Sequence, residues 1–180
     1  GEVKPKKFYY ILHPKITVLV VSKCPNGRFN VAPIAWNMPV SEEPPAVALA
    51  IDRSAYTVEC LESHPEASLN VLPLSEATLV YNLGSVSGRD VDKVSRFGLR
   101  LKNAKKISVP ILENAIAWLE TLRRQSVDFG EVRIYIMEVV EYYARSDAAN
   151  EWGWIAGKAQ PLMHLIGRSF TTFSRIERAK

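Results

Sequence analysis

The feature that most constrains the fold is a predicted hairpin near the start of the chain. Residues 16–22 are short, apolar and rich in β-branched side chains, which predicts a buried strand. The tripeptide at 25–27, Pro-Asn-Gly, follows, and a second strand is predicted over 28–36. Asn-Gly between two apolar runs is a strong hairpin signal because both residues tolerate positive φ. The chain therefore begins with two paired antiparallel strands.

Further apolar runs predict more strands. They lie at 46–51, 67–72, 106–112 and 132–143. The run at 46–51 is apolar on both faces, which favours a central strand. Pro33 cannot donate to a strand ladder, so the strand that contains it is expected at a sheet edge or to carry a bulge.

Three short helices are predicted between the strands. Ser54 is a candidate N-cap for a helix over 55–63, and Ser75 is one for a helix over 76–83. Residues 87–90, Ser-Gly-Arg-Asp, have the spacing of a capping box and predict a third helix that ends near 97–98. Residues 115–124 fit a helix or a strand equally well. Consecutive strands at the start of the chain favour an antiparallel barrel with helical insertions over a doubly wound sheet.

Composition and length limit the class of protein. With 180 residues, 47% of them hydrophobic and 23% charged, the chain is expected to be one globular domain over 1–180. Since no apolar run approaches a membrane span and no signal-peptide pattern occurs, we expect a cytoplasmic protein without membrane contact. Cys24 and Cys60 are too few for a zinc cluster and a weak basis for a disulfide. The three histidines are scattered, so no metal site is expected.

Charge leaves two interpretations open. The formal net charge of +4 suits either an anionic partner or an ordinary solvated surface. No nucleic-acid-binding motif accompanies the charge, so no nucleic-acid partner is expected. The Gly- and Ser-rich run at 84–88 lacks the lysine placement of a P-loop. It could still present backbone N–H groups to an anion.

Six segments in order resemble one known family. They are 30–36 (Asn-Val-Ala-Pro-Ile-Ala-Trp), 39–45 (Pro-Val-Ser-Glu-Glu-Pro-Pro), 53–57 (Arg-Ser-Ala-Tyr-Thr), 67–71 (Ala-Ser-Leu-Asn-Val), 87–93 (Ser-Gly-Arg-Asp-Val-Asp-Lys) and 161–167 (Pro-Leu-Met-His-Leu-Ile-Gly). Together they are similar to the flavin reductase-like, FMN-binding split-barrel family, which includes flavoredoxin. The resemblance implies a homodimer of six-stranded antiparallel Greek-key split barrels that bind FMN near the dimer interface. It also implies that residues 115–124 form a strand.

The resemblance assigns flavin contacts to the predicted second strand. It implies that Asn30 hydrogen-bonds the flavin, that Trp36 supports it, and that the backbone between them meets the pyrimidine edge of the ring. The backbone residues concerned are Ala32, Pro33, Ile34 and Ala35. From the residues alone, the even spacing of Asn30 and Trp36 places them on one strand face, unless Pro33 shifts the phase. The alternative is a polar residue near a turn and a core tryptophan.

Two predicted helix starts supply candidate phosphate ligands. The first carries Arg53, Ser54 and Thr57, whose forked cation and hydroxyls suit a phosphate, although a capping serine beside a surface arginine is an equally good interpretation. The second start carries Ser87, Gly88, Arg89 and Lys93. Lys93 follows Arg89 by one helical turn, so both are expected on one helix face, and the resemblance implies that Lys93 reaches FMN. A surface pair is the alternative.

Two residues near the C-terminus complete the candidate site. His164 lies in a family motif and lines the flavin site, lines the dimer interface or has a structural role, and Phe170 is expected to help form the wall of the site. No catalytic acid is predicted, because the cofactor itself carries out hydride transfer.

The resemblance implies a reductase that passes electrons from NADH or NADPH through FMN to free flavin, ferric iron, or a partner redox protein or monooxygenase. The chain departs from the family pattern on the last long strand, where a common histidine is replaced by Val132 and a glycine by Met137. This leaves a non-catalytic FMN-binding electron-transfer protein as the alternative function. The family motif matching 161–167 ends in two glycines. The position of the second glycine is held by Arg168 if Ile166 is an insertion, and by Gly167 otherwise.

Overall fold

The computed structural model describes all 180 residues. Its strands are β1 (Lys15–Ile16), β2 (Val18–Lys23), β3 (Phe29–Ile34), β4 (Asn37–Glu42), β5 (Pro45–Asp52), β6 (Glu66–Val71), β7 (Leu101–Lys102), β8 (Ile111–Leu112), β9 (Ala117–Phe129), β10 (Val132–Ala144), β11 (Ala149–Asn150), β12 (Gly153–Trp154), β13 (Met163–Ile166) and β14 (Ser169–Thr171). The helices are α1 (Tyr56–Ser63), α2 (Ala77–Gly84) and α3 (Lys93–Arg96), with 3₁₀ turns at Phe8–Leu12 and Leu74–Glu76. The expected mainly β class with helical insertions is confirmed.

The main sheet curls into a barrel. Its strand order is β3-β2-β6-β9-β10-β5-β4, with every pair antiparallel. A flat sheet of seven strands would separate its two edge strands, β3 and β4, by roughly 29 Å. Only Ala35 and Trp36 connect those strands, and such a link spans at most about 11 Å. The two edges therefore lie close together. The sheet has seven strands where the resemblance implied six.

Strand β2 shows how the core is divided. Its side chains are buried on both faces, as the continuous apolar run predicts. Val18 and Val20 pack with Leu49 of β5, which is not a neighbour of β2 in the sheet, so this cluster fills the inside of the barrel. Leu19 and Val21 face the other way and pack against α2.

Several sequence predictions about strands are confirmed. Residues 115–124 belong largely to strand β9, as the resemblance implied. The strand with Pro33 is an edge strand, and β5 lies inside the sheet between β10 and β4. Two predictions were too simple. Residues 37–42 form β4, a strand that no apolar run predicted, and the strand expected over 106–112 is reduced to Ile111–Leu112.

The shortened strand has a physical cause in a buried carboxylate. Glu120 on β9 is fully buried and accepts hydrogen bonds from the backbone N–H groups of Lys105 (2.8 Å), Lys106 (2.6 Å) and Ile107 (3.3 Å). The Tyr143 hydroxyl also donates to it. These N–H groups are therefore satisfied by a side chain instead of by a neighbouring strand. The segment at 105–107 wraps a carboxylate rather than joining a sheet.

The two cysteines form a disulfide, although two cysteines alone were a weak basis for predicting one. Cys24 follows β2 and Cys60 lies on α1, and a bond joins them. Both residues are buried. The disulfide ties α1 to the β2–β3 hairpin. Among the helices, none combines the length and apolar character needed to cross a membrane.

Candidate functional site

A cleft of about 340 Å³ runs along the free edge of β3, between α1, α2 and the start of α3. It brings together eight of the residues that the sequence analysis singled out. They are Asn30, Ala32, Pro33, Ile34, Thr57, Ser87, Gly88 and Lys93. The edge position of β3 explains the grouping, because its backbone has no further strand to pair with and faces the cleft.

Asn30 forms the floor of the cleft and has an unsatisfied atom. Its side chain is buried, and its Nδ2 donates to the Thr57 hydroxyl oxygen at 3.2 Å. Its Oδ1 is buried without any hydrogen-bond partner. Gly88 lies directly above it, so close that a Cβ on Gly88 would be 2.1 Å from Asn30 Oδ1. A buried unpaired acceptor costs free energy, which indicates a place for an external donor.

Lys93 provides a buried cation at the other side of the cleft. Only 4% of the residue is exposed, and its Nζ donates to the carbonyl oxygens of Val31 (3.0 Å) and Leu83 (2.8 Å). An ammonium group has three donors, so one remains for a ligand. No carboxylate lies within ion-pair distance, and burial lowers the pKa of Lys93 to about 8. The site would therefore favour an anion beside Nζ.

The run at 84–88 lines the cleft along its whole length. The N–H of Ser85 donates to Asn82, whereas the N–H groups of Val86, Ser87 and Gly88 have no acceptor in the chain. Successive unpaired N–H groups form a typical anion-binding concavity. Ser87 and Gly88 of this run were predicted as site residues, whereas Gly84, Ser85 and Val86 were not. Tyr56, which also lines the cleft, had no sequence signal beyond its place in a family motif.

A second cavity of about 260 Å³ continues the cleft and shares Pro33, Gly84 and Ser85 with it. It contains three more predicted residues, Ala35, His164 and Phe170. The His164 ring lies 5.0 Å from the Phe170 ring, and its Nε2 is 3.0 Å from the Gly167 carbonyl oxygen. The two cavities are neighbours that share part of one wall, and they are called the groove below; the second contributes aromatic side chains at its end.

Trp36 is not in this groove. It lies past the end of β3, where the chain crosses to β4, and it lines a separate, largely apolar cavity of about 360 Å³. Its ring meets Tyr9 edge to face, with centroids 5.2 Å apart. The expected shared face with Asn30 is therefore wrong, because the strand period ends at Ile34.

Three predicted phosphate ligands lie outside the groove, on exposed surface. Arg53 donates to the Val132 carbonyl at 3.5 Å, and Arg89 pairs with Glu59 of α1 and contacts the Ser54 carbonyl. Ser54 is not the N-cap of α1. Its hydroxyl donates to Asp52 Oδ1 at 2.6 Å instead, and hydrogen bonds from the side chain and backbone of Ser54 lower the pKa of Asp52. Arg89 remains near the cleft because it follows Gly88 directly.

The other helix boundaries also differ from the sequence prediction. No side chain caps α2, so Ser75 does not have the expected role. The third helix begins at Lys93, with Asp92 as its N-cap, rather than at Ser87. Arg89 and Lys93 therefore do not share a helix face, and the surface-pair alternative is wrong because Lys93 is buried.

The comparisons with known proteins agree with this fold. A family model described as flavin reductase like domain matches residues 12–172. The uncharacterized protein YddH of Escherichia coli is 31% identical over 166 residues, which is 87% of this chain and 85% of that protein. An FMN-binding protein from Thermus thermophilus, solved with bound 1-cyclohex-2-enone, has a TM-score of 0.85 at 25% identity and covers 100% of this chain and 97% of its own.

A flavoredoxin from Methanosarcina acetivorans has a TM-score of 0.85 over 99% of this chain and 94% of its own, at 19% identity, which supports the fold alone. The predicted split-barrel class is thereby confirmed. Because the family model covers most of the sequence, the chain belongs to the flavin reductase-like domain family.

Proposed function

We propose that this chain is an FMN-binding oxidoreductase of the flavin reductase type. The observation that carries the proposal is the donor and acceptor set of the groove. Asn30 with a buried unpaired amide oxygen, Lys93 with a donor left over, and residues 86–88 with three unpaired N–H groups all line one cleft. FMN combines an anionic phosphate with a flat ring that has donors and acceptors along one edge, so the residues present fit it.

The residues divide by chemistry. The N–H groups of 86–88, the Thr57 hydroxyl and the Lys93 ammonium suit the phosphate or another anionic part of FMN. Asn30 and the backbone of 32–35 suit the polar ring edge. Arg89, and more distantly Arg53 and Ser54, add positive potential and donors outside the groove. His164 and Phe170 provide aromatic surface at its far end. Bound FMN would supply reversible hydride and electron transfer.

The remaining parts of the proposal follow the family resemblance. The electron donor would be NADH or NADPH, and the acceptor would be free flavin, ferric iron, or a partner redox protein or monooxygenase. Residues 1–180 would act as one domain in a cytoplasmic homodimer. Trp36 would then support the site from the adjoining cavity, which the exposed side chains of Phe8 and Met38 also line.

A visible absorption spectrum of the purified protein tests FMN binding. We expect a bound-flavin spectrum, or its appearance on titration with FMN. The dissociation constant should rise by about five- to 150-fold in Asn30→Ala, since hydrogen bonds in such sites contribute about 1–3 kcal/mol. Asn26→Ala is the matched control, because Asn26 lies in the exposed hairpin turn. A protein that takes up no FMN contradicts the proposal.

A non-catalytic electron-transfer protein is the second candidate. Val132, which replaces the family histidine, starts β10 and does not line the groove. Mixing the FMN-loaded protein with NADH or NADPH without oxygen separates the two functions. Rapid bleaching of the flavin supports the reductase and identifies the nucleotide. A persistent flavin spectrum supports the electron-transfer protein, and Val132→His is then the first substitution to test.

A further inference from the structure

A positively charged side chain lies at the outer end of the second cavity. Arg168 occupies the turn between β13 and β14, and its guanidinium carbon is 4.3 Å from the centroid of the Tyr81 ring. Tyr81 lines that cavity. Arg168 is exposed and has no carboxylate within 4.0 Å. Its charge is therefore available to a ligand.

The surroundings hold this cation in place. Stacking on an aromatic face orders the guanidinium while leaving its N–H donors free at the rim. The same turn is fixed from inside the cavity, where His164 Nε2 lies 3.0 Å from the Gly167 carbonyl oxygen. Tyr81, His164 and Phe170 thus give the cavity aromatic walls and connect those walls to Arg168.

The charged side chains in and beside the groove favour a negatively charged ligand. No aspartate or glutamate lines the cleft or the second cavity. Arg89, beside the cleft, is paired with Glu59, so the positive charges without a carboxylate partner are Lys93, in the cleft, and Arg168, beside the second cavity. A groove with positive charge at both ends and no carboxylate raises the local concentration of anions. Flat aromatic walls favour a planar molecule.

We propose that Arg168 determines co-substrate specificity by binding the negative group of a planar co-substrate whose ring lies at the end of the second cavity lined by Tyr81, His164 and Phe170, which leaves Ala35 and the cleft to FMN. This inference rests on the proposed function, since it places the co-substrate beside the FMN site. A pyridine-nucleotide phosphate and the carboxylate of an aromatic acceptor share the required chemistry. Tyr81 acts as a positioning residue that holds the guanidinium over the cavity mouth.

The test compares a charged ligand with a neutral ligand of the same shape. FMN-loaded protein is titrated calorimetrically at pH 7 and low salt with benzoate, benzamide and NADP⁺. We expect benzoate to bind roughly three- to tenfold more tightly than benzamide, the range for a partly exposed charge-assisted contact. Arg168→Gln should abolish this preference and Arg168→Lys should retain part of it. The preference should also shrink as salt is added.

Control variants distinguish the effect of the Arg168 charge from the effect of removing any exposed arginine. Arg178→Gln removes an exposed arginine with no ion pair near the C-terminus and should leave the preference intact. Tyr81→Leu should weaken benzoate binding, whereas Tyr81→Phe should not, because it keeps the ring. If Arg168→Gln weakens NADP⁺ binding and also removes the benzoate preference, the site accepts a phosphate as well as a carboxylate; if it removes the benzoate preference alone, the anion is a carboxylate.

Three results overturn the inference: equal binding of benzoate and benzamide, an unchanged preference in Arg168→Gln, or no binding of any probe. FMN affinity of Arg168→Gln is measured separately and should equal that of the unmodified protein. The three titrations are also repeated without FMN. A chain that takes up no FMN but shows the Arg168-dependent preference contradicts the proposed function alone.

Discussion

Two buried charges in this molecule are treated in opposite ways. Glu120, on β9, is fully buried and accepts hydrogen bonds from three backbone N–H groups and one tyrosine hydroxyl. Lys93, at the start of α3, is 4% exposed and contacts two carbonyl oxygens and no charged group. Hydrogen bonds within the chain satisfy the Glu120 carboxylate fully, whereas they satisfy the Lys93 ammonium only in part.

The pKa values follow the same difference. Burial alone would raise the pKa of Glu120, but the hydrogen bonds from Tyr143 and from residues 105–107 outweigh it, and the pKa is lowered. For Lys93, burial lowers the pKa to about 8, and no partner opposes it. A buried charge that the chain satisfies has a structural role, whereas one left partly unsatisfied marks a place where a ligand of opposite charge gains most.

The first prediction concerns the satisfied charge. Glu120→Gln replaces one carboxylate oxygen by an amide nitrogen that faces N–H donors, so some donors lose their acceptor. We expect the free energy of unfolding to fall by about 2–4 kcal/mol, the range for breaking a buried charged network. Urea unfolding followed by circular dichroism measures it.

Asp147→Asn is the control for Glu120→Gln. Asp147 pairs with Arg145 on exposed surface, and we expect a change within about 0.5 kcal/mol. Equal losses in the two variants would show that the hydrogen bonds of Glu120 contribute no more than an exposed ion pair.

The second prediction addresses the close approach above Asn30. In Gly88→Ala, the new Cβ would be 2.1 Å from Asn30 Oδ1 and 3.1 Å from Tyr56 Cδ2, so Asn30 or the 84–88 loop must move. We expect a stability loss of about 1–3 kcal/mol, as for overpacked sites. Since the same atoms line the cleft, FMN affinity should fall by at least about tenfold, the equivalent of 1.4 kcal/mol.

Gly84→Ala sharpens this result. Its Cβ would be 3.0 Å from Pro33 Cγ, a contact that a small shift relieves. We therefore expect a smaller loss of stability and of FMN affinity, both measured by the same urea and absorption titrations. Identical effects at the two glycines would mean that the contact with Asn30 has no special importance.

The residues of the groove were predicted better from the sequence than the ends of the helices beside it. The hairpin signal at 25–27 and the proline in β3 depend on local backbone preferences, and both predictions are confirmed. Asn30, Gly88 and Lys93 came from the family resemblance, and the structure brings them together. The predicted helix caps were wrong because short polar side chains had competing partners. Ser54 binds Asp52 instead of capping α1, and Asp92 rather than Ser87 caps the third helix.

Other features depend on contacts that no local pattern encodes. Trp36 left the expected strand face because β3 and β4 lie at opposite edges of the main sheet, and the chain must turn between them. Glu120 is separated by 13 to 15 residues from the N–H groups that it binds, so only the folded chain shows why 105–107 is not a strand. The disulfide likewise joins residues 36 positions apart.

The third prediction uses pH to expose the unsatisfied charge. A pKa near 8 in the folded protein, against 10.5 for the ordinary side chain, means that the unfolded state binds more protons between these values. Stability therefore rises with pH across this window, and the penalty is fully present below about pH 8. We expect the Lys93 contribution to raise the free energy of unfolding by about 2 kcal/mol between pH 7.5 and 10. Lys93→Met should lack this rise.

FMN should reverse the shift, because an anion beside Nζ favours the charged lysine. Binding at pH 8–9 is then expected to take up a proton, which calorimetry in buffers of different ionisation enthalpy measures. FMN affinity should also weaken as the pH rises through about 8, by up to about tenfold per pH unit. Lys93→Met should bind FMN more weakly with neither proton uptake nor this pH dependence. If it keeps both, Lys93 is a second structural charge like Glu120, and the anion lies elsewhere in the groove.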